Sequence, residues 1–387
     1  MLARTRVRLH YIEMNSQFPI LEEHPLYFNH AAVGPWPRCT AQAVEDFARE
    51  NMAHGSLKFW DWVKRDKALR EQLAKLTGAD SAADIALLKN TTEGISTVAW
   101  GLDWKDGANI VIPAGEFPSN RLPWLAQRAR GVETREVDIR AGSDAEGALI
   151  DAMDADTQLL SVSAVGWSDG FRLDLERLGS ACHERGVLFF VDAIQQLGAL
   201  PLDVERCHID FLAADAHKWL LAPEGIAVFY CRDSARPQLN LLQQGWHMAD
   251  QPWDFNREEW LPSETALRFE AGSPNSLGQA ALHASAGLLL DTGMDRVGSR
   301  VLANTDFLIR ALREIRGIQV SSDTGLNRRS GIVSFRHADI KADELYRNLQ
   351  KNGVFCTVRG QSVRLSPHFY QGEQELVRAA EALAHMV

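Results

Sequence analysis

No apolar run in this chain approaches the roughly 18–20 residues that a membrane-spanning helix needs, which sets aside a helical membrane protein. Cysteine is scarce and scattered: Cys39, Cys182, Cys207, Cys231 and Cys356 form no CxxC pair. That spacing disfavours a disulfide framework and a zinc or other metal site, and a reducing cytoplasm is the expected setting. Basic charge is also short. The 41 Lys and Arg stand against 51 Asp and Glu, for a formal net charge of -10. The basic residues fall in small local groups, so no nucleic-acid footprint is expected. Residues 1–14 carry Arg4, Arg6 and Arg8 with no apolar stretch behind them, so no secretory signal is expected. Internal repeats and low-complexity tracts are missing as well.

What is present is an ordinary globular composition, 45% hydrophobic and 24% charged, in a chain long enough to build a core without staples. Residues 38–78 predict helices, with Leu69, Leu73 and Leu76 at helical spacing before Gly78. Short apolar runs at 85–88, 109–112, 159–165, 187–191, 211–214 and 225–230 predict buried strands. Helical patterns at 92–102, 122–130 and 173–185 separate several of them. Gly131 and Gly186 stand where helices should stop. This alternation predicts an α/β fold with a sheet of parallel type. After residue 233 the pattern changes. The stretch 245–262 is aperiodic, and Trp253, Phe255 and Arg257 within it either line a pocket or form an interface loop. From Leu277 come two long helices, a strand at 331–335, a helix at 342–352, strands at 354–358 and 363–366, and a final helix. That is a small α+β unit.

Ligands of open α/β sheets bind beyond the carboxyl ends of the strands, and three such ends carry polar residues. One reads Phe189-Phe190-Val191-Asp192-Ala193-Ile194-Gln195. Its carboxylate suits a protonated ring nitrogen, or else caps a helix. A second reads Ala214-Asp215-Ala216-His217-Lys218-Trp219. A lysine just after a buried strand can have a lowered pKa and form a Schiff base, although an exposed His-Lys pair is the ordinary alternative. The third reads Lys89-Asn90-Thr91-Thr92-Glu93-Gly94. A helix starting near Thr92 offers amides and a hydroxyl to a phosphate, or is simply capped by threonine. This segment is not GxGxxG, which disfavours a nicotinamide-dinucleotide enzyme.

In this order and spacing the three segments resemble the class V aminotransferase superfamily of fold-type I pyridoxal-phosphate (PLP) enzymes, which includes cysteine desulfurases, selenocysteine lyases, kynureninase and isopenicillin N epimerase. The likeness runs from Tyr27-Phe28-Asn29-His30-Ala31-Ala32 to the last helix and includes Gly272-Ser273-Pro274-Asn275. The resemblance implies a fold-type I PLP-dependent transferase-like architecture. A large domain at 26–270 would hold a mainly parallel, seven-stranded sheet, and a small domain would combine 1–25 with 271–387. It further implies that Lys218 holds PLP as a Schiff base and shuttles the proton at the substrate α-carbon. Asp192 would pair with the pyridine nitrogen and Gln195 with the ring hydroxyl. Thr91, Thr92, Glu93 and His217 would bind the phosphate. Phe117, in Glu116-Phe117-Pro118-Ser119-Asn120, would stack on the ring, unless it is core. Arg364 would clamp the substrate α-carboxylate with Asn29 nearby, unless it is a surface strand residue. Ser273 would reach the phosphate of a second subunit, unless it only opens a turn at Pro274. A homodimer with a shared active site follows.

Four departures set this chain apart from its relatives. Desulfurases have His where Phe117 stands, and Phe moves no proton. Their nucleophilic cysteine sits on a loop before the carboxylate arginine, whereas only four residues separate Arg359 from Arg364 here. Cys356 reads as a buried strand residue. Asp215 and Ala164 replace a Ser and an Asn common in relatives. The expected function is therefore a PLP transferase or C–S lyase acting on a small amino acid. An epimerase and a non-catalytic PLP-fold binding protein are the alternatives.

Overall fold

A computed structural model describes residues 16–256 and 258–385. Arg257, and the first fifteen residues with Arg4, Arg6 and Arg8, lie outside the described residues. The larger sheet has seven strands: β1 (Ile85–Leu88), β2 (Asn109–Pro113), β3 (Glu133–Val137), β4 (Thr157–Ser163), β5 (Leu188–Asp192), β6 (Phe211–Asp215) and β7 (Ala227–Cys231). Their order is β1-β7-β6-β5-β4-β2-β3, and only β7 runs against its neighbours. Every residue of β2, β6 and β7 is buried, as expected of strands covered by helices on both faces. Phe189, Phe190, Phe211 and Phe229 are fully buried there, and each such side chain stabilises the fold by about 1.5–3 kcal/mol relative to exposure.

The smaller sheet is antiparallel, in the order β10 (Thr357–Arg359), β11 (Ser362–Leu365), β9 (Val333–His337), β8 (Ile318–Val320). Its core joins Val333, Phe335, Leu349, Val363 and Leu365 to Leu26 and Phe28 from the start of the chain. Helix Ser276–Thr292 packs on helices Arg38–His54 and Phe59–Thr77. Helix Met294–Arg313 spans both cores, burying Val297 and Val301 in the larger and Leu308 and Leu312 in the smaller. No helix among the described residues is long and apolar enough to cross a membrane.

The differences from expectation are local. β3 and helix Ala145–Ala152 are additional to the predicted elements. β3 is an edge strand of sequence ETREV with no buried residue, so it carries the charge that edges favour and lacks the apolar run that marks central strands. β8 is likewise a short edge. The helix expected at 122–130 is one α-turn, Leu122–Leu125, followed by a 3-10 segment that Gly131 ends at φ 81°. The strand expected at 354–358 begins only at Thr357. Phe355 instead donates its N–H to Leu26 and bridges Tyr27.

Candidate active site

The parallel register brings the strand ends together. Ser163 at the end of β4 pairs with Asp192 at the end of β5, and β6 beside them ends at Asp215. The Asp192 carboxylate accepts the N–H of Ile194 at 3.0 Å. Burial pushes its carboxyl up to about 6, while Ile194 and Lys218 pull the other way. Lys218 leaves the turn after β6 with its amine 5.8 Å from the centre of the Phe117 ring. Burial draws that amine down to about 8, with Arg364 adding to the effect and Asp192 opposing it. Such an amine is partly neutral near physiological pH and is a competent nucleophile. Gly34 sits against this turn. Its N–H donates to His217 O at 2.7 Å, and a Cβ there would collide with Lys218 O.

Helix Thr91–Gly101 points its amino end at the same region. Its cap is Asn90, one residue earlier than a threonine cap, and the Asn90 side chain accepts the Glu93 N–H at 2.9 Å. The Glu93 carboxylate in turn accepts the Lys89 N–H at 2.5 Å. The Glu93 amide is thus already engaged. The amides of Thr91 and Thr92 have no partner among the described residues, and the helix dipole favours an anion there. The Thr91 hydroxyl accepts the Asp215 N–H at 2.9 Å, which ties the helix start to the lysine strand. The Thr92 hydroxyl donates to Ser119 at 2.8 Å. His217 Nδ1 lies 3.0 Å from Asp215 Oδ1 without hydrogen-bond alignment, and both atoms are buried without a partner.

Arg364 is 1% exposed, which excludes a surface position. It donates one bond, from Nη1 to Trp167 O, while its Nε and Nη2 are buried without partners. Burial, then Arg359, pulls the guanidinium down to about 9. A buried cation with two orphaned donors needs an anion, and a carboxylate fits the fork. Asn29 Oδ1 is also buried and unpaired, at the bridge Asn29 makes with Ser366. Phe117 is 41% exposed, so it is not core. It meets the Trp167 ring edge-on at 5.6 Å.

Other residues sit differently. Gln195 has both ends of its amide engaged. Nε2 donates to Ala31 O at 3.0 Å and Oε1 accepts the Trp219 N–H at 2.9 Å, which leaves one N–H for a ring hydroxyl. Ser273 is exposed and shares a groove with Lys89, Glu93 and Gly225. Three contributors went unnoticed in the sequence. Trp167 follows β4, which as a strand-end position was a usable signal. Arg359 lies 5.8 Å from the Trp167 ring and repels both Lys218 and Arg364. Glu116 is a buried carboxylate that accepts the Ser163 N–H at 2.6 Å. The orphaned Arg364 donors, the free amides at Thr91 and Thr92, the low-pKa lysine and the buried Asp192 together fit PLP and an amino acid. They supply an amine for its aldehyde, amides for its phosphate and an acid for its ring nitrogen.

The family model described as Aminotransferase class-V matches residues 26–385. A probable cysteine desulfurase of Methanothermobacter thermautotrophicus is 28% identical, with 96% of each chain covered. An uncharacterized aminotransferase of Bacillus subtilis, YcbU, is 24% identical over 95% of each. Among solved structures, a complex of the cystine C–S lyase C-DES with its product cysteine persulfide superposes with TM-score 0.88 at 24% identity, covering 95% of this chain and 99% of that one. An apo cysteine desulfurase from Thermococcus onnurineus superposes with TM-score 0.86 at 24% identity, covering 97% of each. At that identity these structures speak to the fold.

Proposed function

The chain belongs to the class-V aminotransferase family, and from that premise we propose that it is a PLP-dependent lyase that cleaves the C–S bond of a small cysteine-type amino acid without a nucleophilic cysteine of its own. What carries the reading is the hairpin ahead of Arg364. Arg359 on β10 pairs with Ser362 on β11 across the turn Gly360-Gln361, which leaves no loop for a thiol. Cys356 packs in the small-sheet core with Val354, Val363 and Leu365, and burial pushes its thiol up to about 12. It is no nucleophile at neutral pH.

PLP, when bound, supplies the electron sink that makes the substrate α-proton acidic. The chain supplies the rest. Lys218 would hold the cofactor through its amine, and the same amine, once free, moves the proton at the substrate α-carbon. Asp192 holds a proton at the ring nitrogen. The Thr91 and Thr92 amides, the Thr92 hydroxyl and His217 hold the phosphate. Phe117 covers the ring, and Trp167 beside it excludes water. Arg364 fixes the α-carboxylate with its two free donors, and Asn29 lines the same end.

A homodimer completes the reading, with the exposed Ser273 segment of one copy closing the phosphate end of the other. What supports it is the exposure of Ser273 in a groove that it shares with Lys89 and Glu93. The five free cysteines suit a cytoplasmic setting. The test is incubation of PLP-loaded protein with L-cysteine, L-cystine and S-alkyl cysteines, with Lys218→Ala as control. Pyruvate and ammonia with PLP retained support the lyase. Pyridoxamine phosphate with a keto acid would replace it with a transaminase, and loss of chirality without products with an epimerase.

A further inference from the structure

Six carboxylate side chains are buried among the described residues: Asp84, Glu116, Glu146, Asp192, Asp215 and Glu270. Four of them face a cationic or basic partner, namely Arg236, Arg328, His217 and Arg70 respectively for Asp84, Glu146, Asp215 and Glu270. Glu116 and Asp192 make no ion pair among the described residues, and they are neighbours. Ser163 is the register partner of Asp192, and Glu116 accepts the Ser163 N–H at 2.6 Å and shares a second, short hydrogen bond with its hydroxyl.

Two carboxylates in one dry site cannot both ionise without a cation for each. The charged groups around the pair are few. Lys218 and Asp215 act on Asp192, and Asp192 is the charged group that acts most on Glu116. Asn120, on the next turn, has its Nδ2 buried without a hydrogen-bond partner and also draws the Glu116 carboxyl down. Arg140 lines the same cavity as Glu116 but is paired with Asp169 and lies over the Phe171 ring. One positive partner is therefore available for two acids, and it stands on the Asp192 side.

We propose that Glu116 and Asp192 hold one proton between them, and that Glu116 carries it whenever Asp192 faces a cation. This makes Glu116 a positioning residue of the ring pocket. It rests on the PLP reading only in naming the cation as a protonated ring nitrogen as well as Lys218. In this state the Glu116 O–H donates to Ser163 Oγ, and its other oxygen keeps the Ser163 N–H, so Ser163 braces Asp192 without a second charge beside it. Burial, with Asp192 adding to it, pushes the Glu116 carboxyl up to about 7, which agrees with this placement.

The test is an infrared difference spectrum at pH 7, with and without PLP, together with the pH titration of the visible band of the lysine-bound cofactor. Wild type should show the carbonyl stretch of a protonated carboxylic acid, stronger with PLP bound, and Glu116→Gln should lose it. Because glutamine is neutral and keeps an acceptor for the Ser163 N–H, Glu116→Gln should leave the visible titration midpoint in place. Glu116→Ala should weaken PLP binding roughly tenfold by leaving that N–H unpaired. If Glu116 is instead ionised, Glu116→Gln will shift the midpoint by about one pH unit and the acid band will be missing, which overturns the proposal. Ser163→Ala, which removes only the hydroxyl acceptor, should shift the acid band, and an unmoved band counts against the pair. Protein that binds no PLP would overturn the functional reading, while the cofactor-free spectrum still decides this one.

Discussion

The indole N–H of Trp219 donates to Oε1 of Gln195 at 2.9 Å, and both residues are buried. Trp219 follows Lys218, and its carbonyl accepts the Nε2–H of His368 at 3.1 Å. The donor assignment is fixed, because His368 Nδ1 already accepts the Phe369 N–H at 2.8 Å. Gln195 also donates to Ala31. The lysine turn is thus held from the sheet, from the early loop and from the small-sheet side at once.

Gln195→Ala strands the Trp219 N–H in a dry site, so it should cost about 1–3 kcal/mol of stability. Trp219→Phe removes the donor instead. In the double variant the penalty for the missing partner should largely vanish. Urea unfolding of the four proteins measures the coupling, and full additivity would mean that the contact does not hold the turn.

His30 gives a pH prediction. Its Nδ1–H donates to Ser366 O at 2.7 Å, which leaves Nε2 to accept the Tyr370 hydroxyl at 2.6 Å. The ring is neutral, and burial lowers its pKa to about 4. The unfolded chain, with His near 6.5, binds the proton first. Stability should therefore fall as pH drops from about 6.5 to about 4, by about 3 kcal/mol from this group, and its contribution should level off below. His30→Gln should flatten that slope in unfolding curves taken across the window. An unchanged slope would assign the acid sensitivity elsewhere.

How much of this was legible in the sequence follows from where the information sits. Lys218, Asp192 and Thr92 each stand in a local pattern, an apolar strand ending in a polar residue, so strand periodicity puts them at strand ends, while their roles came only with the family likeness. Arg364 needed the family likeness, because β11 by itself reads equally as a surface strand. The engagement of Gln195 was not legible, since its partners Ala31 and Trp219 lie 164 and 24 residues away. Glu116 reads locally as a loop glutamate. Only the β4–β5 register shows it to be a buried acid beside Asp192. β3 escaped because an edge strand follows charge and not apolar alternation.

Lys218 should react as an amine of pKa about 8, and not near its ordinary 10.5. Only the neutral form attacks an aldehyde. Trapping of PLP on cofactor-free protein by borohydride, followed by peptide mass, should therefore rise with pH through a midpoint near 8 and localise to Lys218. Removing the repulsion of the second guanidinium, with Arg359→Gln, should move that midpoint upward. A midpoint above about 10 in wild type would mean that the amine is solvated.

Arg364 sets binding against stability. Its guanidinium is fully buried with two donors unpaired, so the folded protein carries an uncompensated cation until a carboxylate arrives. Replacing such a charge with a hydrophobic side chain of similar volume is often stabilising by about 1–4 kcal/mol. Arg364→Met should thus unfold at higher denaturant concentration than wild type when no substrate is present. The same change removes two charge-assisted hydrogen bonds to the substrate, each worth about 1.5–3 kcal/mol. Binding of amino acids should weaken by roughly 100-fold or more, while an amine lacking the carboxylate should lose little. Arg364→Lys, a point charge without the fork, should recover only part of that loss. A variant that loses stability and substrate binding together would indicate that Arg364 is a structural ion partner; gain of one with loss of the other assigns it to the substrate.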